Sequence, residues 1–510
     1  MEHSSIHKTQ VVIAGAGPTG LSLAAQLIRH NIDFIILERN EATTHLSKAV
    51  VVQARSLEIF EELGIIEEAM KLGRETTGMN LFYKGKRKAA IDLKDLGEGV
   101  SRFPFALSLE QSKTEHLLAA YLSQKGKQVQ WKSEVIYFDQ QADKVLVYYK
   151  DSSGRAQEIE ADYLVGCDGA GSVVRHQLNL TFSGSTKPKL FYVADVVLSS
   201  TVINEDNLYM YMIKKGFVLF FPMEGAGHYR IVGIVPEHQQ TKAEYTFEDI
   251  KPLITKEIVS PIEFTELRWF STYKVHSRMA DAFMDKRCFV AGDAAHIHTP
   301  AGGQGMNTGI QDAYNLAWKI AYTLTGEVND NVLKTYNTER CGNAKHLLQT
   351  TDRMFDVISG VNPFWNTIRL AFFPLFLSVL SKSRFIKQRI FPLLSQTGIA
   401  YPESYLTLES AVEKVRAGDR MHYFVFADGK HIFSYLTEPV FKLLFFGKKD
   451  IQNPLKDAPI KMTFHAFNEI PATLFGNNTE FYILLRPDNH ISYIGKDIDA
   501  CRKMTEKISN

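Results

Sequence analysis

Glycines and acids fall where they could hold a phosphorylated ligand. Gly15, Gly17 and Gly20 form a GxGxxG turn directly after the apolar run Gln10–Ala14. In such a turn the first glycine permits the tight bend, the second lets the backbone approach a pyrophosphate, and the third lets the next helix pack closely on the sheet. Glu38 ends the following apolar run, 18 residues after Gly20, where its carboxylate could accept hydrogen bonds from ribose hydroxyls. The pattern favours dinucleotide binding over a plain glycine-rich turn, without distinguishing FAD from NAD.

Two later apolar runs also end in an acid. The stretch ADYLVGCDG ends at Asp168-Gly169, and RCFVAGD ends at Asp293. Ligands of open α/β sheets bind at the carboxyl ends of the strands. We therefore expect Glu38, Asp168 and Asp293 to line one extended cofactor. For Asp293 alone, a helix N-cap is the alternative interpretation.

Hydrophobic periodicity predicts the elements that must position these residues. The N-terminal pattern is strand, helix, strand, which predicts a βαβ unit, and a strong helical pattern covers Thr308–Thr323. Between the second and third acid-ended runs, several apolar strands separated by turns predict an antiparallel sheet inserted into the first domain. These predicted strands are Phe191–Leu198, Leu208–Ile213, Phe217–Pro222 and Tyr229–Ile234.

Composition excludes several classes of protein. The chain has 510 residues, with 58 Lys+Arg against 57 Asp+Glu, and this net charge of +1 argues against nucleic-acid binding. None of the four cysteines forms a CxxC pair, which argues against a disulfide framework and structural zinc. His296 and His298 have no third ligand nearby in the sequence, so we expect no metal site. The polar start has no signal-peptide pattern, and we expect a cytoplasmic protein.

One apolar segment, Leu370–Leu380, raises the question of membrane contact. It is far shorter than the ~20 residues of a spanning helix, and Pro374 interrupts it. We favour a buried helix over a membrane-surface contact, although basic residues from Lys382 onward are compatible with the latter.

Three motifs together carry a family resemblance. GAGPTG at 15–20, CDGAGSVVR at 167–175 and GDAAHIHTPAGGQGMNTGIQDAYNLAWK at 292–319 resemble the group A flavin-dependent aromatic hydroxylases, which include para-hydroxybenzoate hydroxylase and the phenol hydroxylases. The resemblance implies tightly bound FAD, NAD(P)H as a transient cosubstrate, and dioxygen. It also implies hydroxylation of a small phenolic or a polycyclic aromatic substrate through a flavin hydroperoxide.

The resemblance also implies roles for individual residues. Asp293 would hold a ribityl hydroxyl of FAD, and Asp168 would lie near the pyrophosphate and, with Arg175, near the path of the nicotinamide nucleotide. Gly303 would bring the backbone close to the flavin. The full set of expected cofactor residues is Gly15, Gly17, Gly20, Glu38, Arg39, Arg55, Gln111, Asp168, Asp293, Gly303, Gly305, Met306 and Asn307.

Some of these assignments have open alternatives. Arg55 is a candidate for the phosphate side of FAD, with an exposed helix arginine as the alternative. Gln111 resembles the family glutamine that reaches the cofactor, with a simple N-terminal helix residue as the alternative. Lys48 stands where the family often has arginine. The N–H groups of Gly305, Met306 and Asn307, at a helix start, would stabilise negative charge on the edge of reduced flavin.

The inserted sheet is expected, by resemblance, to form most of the substrate pocket. Pro300 would lie beside the isoalloxazine ring, and Tyr211, Phe220, Pro222 and Tyr229 are candidate lining residues, with ordinary sheet core as the alternative. No residue is assigned as the base that deprotonates a phenol. The alternatives considered for it are His276, Arg278 and a bound water.

The expected fold class is α/β, with a Rossmann-like FAD domain, an inserted antiparallel β substrate domain and a C-terminal thioredoxin-like domain. The last is implied by resemblance: Leu485–Tyr493 resembles the last hairpin of the thioredoxin-like domain that ends phenol hydroxylases and polyketide hydroxylases. This domain would be structural or contact a second subunit in a homodimer. Expected boundaries are 1–77, 101–180 and 278–360 for the FAD domain, 78–100 and 181–277 for the substrate domain, 361–400 for a helical connector, and 401–510 for the C-terminal domain.

Two other functions stay open at this point. One is an antibiotic-modifying flavin monooxygenase, which would differ only in its pocket. The other is a non-hydroxylating FAD reductase or flavin-binding protein.

Overall fold

The structure is a computed structural model. It describes residues 7–44, 49–94, 96–213, 216–236, 240, 242, 244–258, 261–300, 302–359 and 383–510. Lys48 and the apolar segment 370–380 lie outside these ranges. No helix within them is long and apolar enough to span a membrane.

The first sheet is built around parallel strands that the apolar runs predicted. Its strands are β1 His7–Ala14, β2 Phe34–Glu38, β8 Gln130–Trp131, β9 Glu134–Gln140, β10 Val145–Lys150, β11 Ala156–Gly166, β17 Met284–Asp285 and β18 Cys288–Val290. The order is β17-β18-β11-β1-β2-β8, and the hairpin of β9 and β10 pairs with β11. The central strands β18, β11, β1 and β2 run parallel. Parallel strands are buried on both faces, which explains their continuous apolar sequences.

Eleven α-helices are assigned within the described ranges. They are α1 Pro18–Arg29, α2 Ala54–Leu63, α3 Ile66–Leu72, α4 Gln111–Gln124, α5 Val173–Gln177, α6 Phe247–Glu257, α7 Gly305–Leu324, α8 Asp330–Ser359, α9 Arg384–Leu394, α10 Ala472–Phe475 and α11 Ile498–Ser509. Proline at the first position of α1 suits a helix start, because its missing N–H would have no helical acceptor there. Helix α7 packs on α1, so the third motif lies directly against the first.

The second sheet combines strands from two separate stretches of the chain. Its strands are β5 Gly78–Tyr83, β6 Lys86–Asp92, β12 Phe182–Ser200, β13 Asn207–Ile213, β14 Gly216–Pro222, β15 His228–Ile234, β16 Ile262–Ala280 and β19 His296–Ile297. The order is β19-β16-β12-β15-β14-β13-β5-β6, antiparallel except for the parallel pair β13 and β5. A third, small antiparallel sheet has the order β3-β7-β4. Its strands are β3 Val51–Val52, β7 Ala106–Ser108 and β4 Arg74–Thr76.

The C-terminal part forms its own four-stranded sheet. Its strands are β22 Phe441–Gly447, β23 Met462–Phe467, β24 Glu480–Leu485 and β25 Ile491–Gly495, in the order β23-β22-β24-β25, and a short hairpin of β20 Ala411–Val412 and β21 Val415–Arg416 precedes it. One hydrophobic core runs from β1 to β22 without interruption. The C-terminal part is therefore packed onto the first sheet's domain.

Buried polar contacts fix this packing. The Trp318 indole N–H of α7 donates to Asp488 Oδ2 at 3.1 Å, and Arg486 Nη1 donates to Glu339 Oε1 of α8 at 2.6 Å. All four side chains are buried. Breaking such a buried pair leaves an uncompensated charge, which costs about 3–5 kcal/mol.

Candidate active site

The three acid-ended runs meet at one edge of the first sheet. In the parallel register, Ala14 of β1 lies beside Leu37 of β2 and Gly166 of β11, and Gly166 lies beside Val290 of β18. The carboxyl ends of these four strands therefore align, and we call this the carboxyl edge. The residues that follow the strands, including the GxGxxG turn, Glu38, Asp168 and Asp293, are brought together there as predicted.

The glycine turn has the close approaches that its pattern predicts. Gly15 has φ +99°, and a Cβ there would lie 2.4 Å from the carbonyl oxygen of Cys167. A Cβ on Gly20 would lie 2.0 Å from the carbonyl oxygen of Gly15, so both positions exclude a side chain. At Gly17, the N-cap of α1, a Cβ would meet no atom within 4 Å. The start of α1 is thus open at the one position where a phosphate would approach the backbone.

Glu38 is fixed by the backbone of the same turn. Its Oε2 accepts a hydrogen bond from Ala16 N at 2.7 Å, and its Oε1 accepts from Asn40 N at 2.9 Å. The side chain is buried, whereas the neighbouring Arg39 is exposed. An ionised carboxylate has about four acceptor positions. Asn40 Nδ2 also donates to Oε1, at 2.6 Å, so Glu38 retains about one acceptor position for a ribose hydroxyl.

Asp168 caps a short helix beside the glycine turn. Its Oδ2 accepts hydrogen bonds from Val173 N at 2.7 Å and Val174 N at 3.3 Å, at the start of α5. Burial raises the pKa of this carboxyl above its usual value, against the lowering effect of these hydrogen bonds. A Cβ on Gly15 would lie 3.0 Å from Asp168 Cα, which places the two motifs in direct contact.

Arg175 joins the second motif to the third. Its Nη1 donates to the carbonyl oxygen of Ala294 at 2.9 Å and its Nη2 to that of Ala170 at 2.8 Å. The guanidinium lies over the Phe182 ring, 3.9 Å from the centroid. The side chain is buried by these contacts.

Asp293 lies in a 3-10 turn, Gly292–Ala294, and is exposed at the carboxyl edge. Gly292 has φ +59°, and a Cβ there would lie 2.3 Å from Thr19 Oγ1. A Cβ on Gly309 of α7 would lie 2.2 Å from the same oxygen. Gly292 and Gly309 of the third motif therefore both pack directly against Thr19 of the first.

The glycine loop before α7 is held by an asparagine side chain. Asn307 Oδ1 accepts from Gln53 N at 2.8 Å, and Asn307 Nδ2 donates to the carbonyl oxygens of Val51 at 2.9 Å and Gly303 at 2.8 Å. Asn307 is fully buried, so its side chain positions the loop, a role that the sequence did not indicate. The N–H groups in the first turn of α7 have no acceptor within the helix, which leaves this helix start suited to negative charge.

The loop itself has left-handed glycines and one exposed proline. Gly302 and Gly303 have φ +80° and +63°, and Gly303 N donates to the carbonyl oxygen of Pro300 at 3.1 Å. A Cβ on Gly303 would lie 3.0 Å from Val51 Cβ. Gly305 begins α7, and Met306 is half-buried beside it.

Gln111 is the first residue of α4 and contacts the segment that precedes β3. Its backbone N–H donates to the carbonyl oxygen of Ala49 at 3.0 Å, and its side chain Nε2 donates to Glu115 Oε1 at 2.9 Å. These contacts position the segment that follows Lys48.

Arg55 is not at the carboxyl edge. Its guanidinium is buried in the contact with the C-terminal part, where Nη1 donates to Glu58 Oε2 at 3.0 Å and Nη2 to the carbonyl oxygen of Asp488 at 3.0 Å. The same group lies 5.2 Å from the centroid of the Tyr314 ring. Both alternatives predicted from the sequence are therefore wrong. The sequence could not indicate the observed partners, because Asp488 and Tyr314 lie far along the chain from Arg55. The i,i+3 spacing of Arg55 and Glu58 was the available sequence signal for the ion pair between them.

The candidate pocket residues Tyr211, Phe220 and Pro222 lie on the side of the second sheet that packs against α6. Tyr211, Phe220 and Tyr229 form one buried cluster with Phe247 and Ile250 of α6. Pro222 shares their side because successive side chains of a strand alternate. Because neighbouring residues of a strand point to opposite faces, a position one residue away along the strand would lie on the other face of the sheet. These residues are sheet core against α6.

The opposite side of the sheet faces the glycine loop, and we call it the site-facing side. Phe221 and Met223 pack there with Val50 and Val51, next to Gly303. Further along, this side carries a cluster that includes Met210, Met212, Leu219 and Phe217.

A buried ion pair also lies on the site-facing side and was not predicted. Arg230 donates to both carboxylate oxygens of Asp195, at 2.6 Å from Nε and 2.5 Å from Nη2. Arg230 Nη1 also donates to the carbonyl oxygen of Ala49 at 3.3 Å, which ties the second sheet to the segment before β3. The sequence signal for this ion pair was one acidic and one basic residue within two predicted apolar strands. The two residues lie directly opposite each other in the sheet.

His276 and Arg278 lie away from this apolar surface. His276 Nδ1 is 2.9 Å from Thr186 Oγ1, and Arg278 Nη2 donates to the same oxygen at 3.4 Å. Both are on the opposite face of β16 from Val275, which belongs to the site-facing cluster.

The two histidines of the third motif are packing and hydrogen-bonding residues. His296 Nε2 lies 2.8 Å from Asp312 Oδ2, and His298 Nδ1 lies 2.9 Å from the carbonyl oxygen of Thr299. Burial lowers the pKa of His298 to about 4, so this ring is neutral at pH 7. Among the described residues, no group of three acids, cysteines or histidines could hold a metal.

Taken together, these residues fit FAD. An open helix start at Gly17 suits the pyrophosphate, Glu38 suits a ribose, and the exposed Asp293 suits a hydroxylated chain between pyrophosphate and ring. The left-handed loop before α7 leaves its backbone close to the site-facing side of the second sheet. The donors and acceptors therefore follow the order of groups along the cofactor.

Comparison with known proteins agrees with this geometry. Residues 8–351 match the FAD binding domain family. The chain is 32% identical over 401 residues to 6-methylpretetramide 4-monooxygenase of Streptomyces rimosus, covering 78% of this chain and 71% of that protein. It is 30% identical over 352 residues to pentachlorophenol 4-monooxygenase of Sphingobium chlorophenolicum, covering 69% and 65%. The solved structure of the anhydrotetracycline hydroxylase OxyS from Streptomyces rimosus matches with a TM-score of 0.80 and 28% identity, covering 98% of this chain and 99% of that one. The chain thus belongs to the FAD-binding family of group A flavin-dependent monooxygenases.

Proposed function

We propose that this protein hydroxylates a phenolic or polycyclic aromatic substrate, with FAD as bound cofactor and NAD(P)H and dioxygen as cosubstrates. One observation carries the proposal: the glycine loop lies between the carboxyl edge and the site-facing side of the second sheet. Val51 contacts Gly303 and belongs to the same apolar cluster as Phe221 and Met223. A flavin ring held by this loop would therefore face an apolar wall.

The residues of the carboxyl edge have distinct proposed roles in holding FAD. Glu38 would accept from a ribose, with Arg39 beside it, and Gly17 would admit the pyrophosphate. Asp293 would accept from a ribityl hydroxyl, and the amides of 305–307 would face the ring edge. The chemistry supplied by bound FAD is acceptance of hydride from NAD(P)H and activation of dioxygen.

The site-facing side would bind the substrate and exclude water. Phe221 and Leu219 are half-buried there, and Met354 of α8 reaches within 3.5 Å of the Cβ position of Gly302. Pro300 is exposed on the loop beside them. Methionine and phenylalanine side chains suit the face of an aromatic ring. Polycyclic substrates are supported by the relatives named for 6-methylpretetramide and anhydrotetracycline, and single rings by the relative named for pentachlorophenol.

For NAD(P)H we propose a basic surface next to the second motif. Arg278 and His276 lie at Thr186, and Arg278 is close enough to Arg175 to add to the lowering of its pKa, which burial dominates. Phosphate groups prefer such basic side chains. Arg278→Ala should raise KM for NAD(P)H at full FAD content, whereas a raised KM for the aromatic substrate alone would contradict this assignment.

The C-terminal sheet supports a thioredoxin-like domain over 401–510, without thiol chemistry. Its first two strands are parallel neighbours, its last two are antiparallel, and the order β23-β22-β24-β25 places the first strand second. The boundaries stated above for the FAD and substrate domains stay a prediction, and β19 of the second sheet lies within the range given for the FAD domain.

A panel of phenols and fused-ring phenols tests the proposal. Each compound is added to FAD-loaded protein with NADH or NADPH, and nucleotide oxidation, hydrogen peroxide and oxygenated product are measured. The proposal predicts that at least one aromatic compound accelerates oxidation and yields a hydroxylated product. Oxidation that no aromatic compound accelerates, without any oxygenated product, would indicate a flavin reductase instead.

A further inference from the structure

A buried carboxylate lies directly behind the turn that presents Asp293. Asp312 of α7 is fully buried and does not face the carboxyl edge. Its Oδ2 accepts a hydrogen bond from Gly292 N at 3.0 Å and lies 2.8 Å from His296 Nε2. Its Oδ1 accepts from Arg340 Nε at 2.6 Å. A carboxylate with this many donors is held in one orientation.

The contact with Gly292 determines where Asp293 lies. Gly292 adopts a left-handed φ of +59° and packs on Thr19. The hydrogen bond from its N–H to an ionised acceptor fixes the peptide between Ala291 and Gly292, one residue before Asp293. The exposed carboxylate of Asp293 is thus presented by a turn whose backbone is held from behind.

Arg340 extends this contact to the start of the C-terminal part. Its Nη1 donates to Tyr401 Oη at 2.9 Å, and its Nη2 donates to the carbonyl oxygen of Thr308 at 3.2 Å in the first turn of α7. The Tyr401 ring lies 4.6 Å from the His490 ring, between centroids, and 5.3 Å from the Arg486 guanidinium. Every side chain in this series is buried.

We propose that Asp312 is a positioning residue for the FAD-binding turn, and that Tyr401 acts on this turn through Arg340. The inference rests on the proposed role of Asp293 as an FAD ligand. The C-terminal part then contributes to FAD retention. Its Tyr401 hydroxyl accepts a hydrogen bond from Arg340, and Arg340 in turn donates to the Asp312 carboxylate behind the turn. No thiol chemistry is required for this role.

The test is FAD affinity of the apoprotein, measured by flavin fluorescence at a temperature where circular dichroism shows each variant folded. Asp312→Asn keeps the side-chain shape and removes the charge, and we expect Kd for FAD to rise about 10-fold or more. Tyr401→Phe removes one hydroxyl and should raise Kd about 3-fold. Tyr493→Phe is the matched control, because its hydroxyl accepts one hydrogen bond from Asp497 N at 3.1 Å away from this series, and it should leave Kd unchanged.

A double variant shows whether the two residues act through one path. If Tyr401 acts through Asp312, the double variant should bind FAD no more weakly than Asp312→Asn alone. Additive losses would contradict the path, and a lowered unfolding temperature with unchanged Kd would reduce both residues to structural ones. If Asp312→Asn fails to fold, Tyr401→Phe and its control still decide the matter. Asp293→Asn separates the two proposals: unchanged affinity there overturns the cofactor assignment, whereas weakened affinity there with normal affinity in the other variants overturns only this inference.

Discussion

Thr19 packs directly against Gly292, so closely that a Cβ on the glycine would lie 2.3 Å from the threonine Oγ1. The contact joins the first and third motifs, which are far apart in sequence. It brings the open start of α1 and the acid Asp293 into one site. The geometry of the carboxyl edge thus depends on a position that admits no side chain.

Gly292→Ala should therefore yield a protein that binds FAD poorly. The methyl group would clash with Thr19, in addition to the cost of about 1–2 kcal/mol for a left-handed non-glycine residue. Gly326→Ala is the matched control, because Gly326 has φ +73° and open space at its Cβ position. The flavin-to-protein ratio after purification measures the difference. Equal FAD content in the two variants would show that the contact with Thr19 does not matter for binding.

Glu38→Gln should weaken FAD binding without unfolding the protein. The amide oxygen still accepts from either Ala16 N or Asn40 N, but the NH₂ group cannot accept from the other, and the negative charge is lost. We expect Kd for FAD to rise about 10-fold, since a hydrogen bond to a charged group contributes about 1.5–3 kcal/mol. Titration of apoprotein with FAD provides the measurement, and a Kd equal to that of the parent would remove Glu38 from the site.

Two adjacent phenylalanines test which side of the second sheet faces the substrate. Phe220→Ala should lower the free energy of unfolding by about 3–5 kcal/mol, because Phe220 is fully buried against α6. Phe221→Ala should cost less stability and should change KM for the aromatic substrate. Urea unfolding and steady-state kinetics of each variant give the two readouts. A change in KM confined to Phe220→Ala would contradict the assignment of the faces.

Lys442 should give the C-terminal part a stability that depends on pH. Burial lowers its pKa to about 7, while Nζ donates to Asn489 Oδ1 at 2.8 Å. Between pH 7 and the pKa of an unfolded lysine near 10.4, the unfolded chain binds more protons at this site, so this contribution to stability rises with pH. The parent should gain about 2 kcal/mol relative to Lys442→Met from pH 7 to pH 9.

Urea unfolding at several pH values measures this gain, with Lys461→Met as the control at an exposed position. The control should follow the parent at every pH. Parallel curves for parent and Lys442→Met would show that Lys442 stays charged in the folded protein.

Much of the carboxyl edge could be predicted because its signals are local. The run Gln10–Ala14 lies within β1, the predicted helix Thr308–Thr323 lies within α7, and all four predicted strands of the second sheet are present. A glycine turn, an acid and a helix start are each set by a few neighbouring residues. Glu38 ends its apolar run, and the parallel register that places Leu37 beside Ala14 brings it next to the turn.

The remaining features depend on contacts between distant parts of the chain. Met210 and Tyr211 are both apolar and both buried, so alternation alone does not tell which of them faces the site. The partner of Arg55 is a carbonyl group more than four hundred positions away. In the C-terminal part, the central strand β22 was not predicted. Its sheet is ordered by packing on α7, which short apolar segments do not encode.

The origin of the transferred oxygen atom distinguishes a hydroxylase from a flavin reductase or oxidase. FAD-loaded protein is supplied with NAD(P)H, an aromatic compound that stimulates nucleotide oxidation, and ¹⁸O₂ in ordinary water, and the product is analysed by mass spectrometry. The account predicts one ¹⁸O atom in the product hydroxyl for each nucleotide oxidised in coupled turnover. A product without ¹⁸O, or nucleotide oxidation that yields only hydrogen peroxide with every aromatic compound, would contradict it.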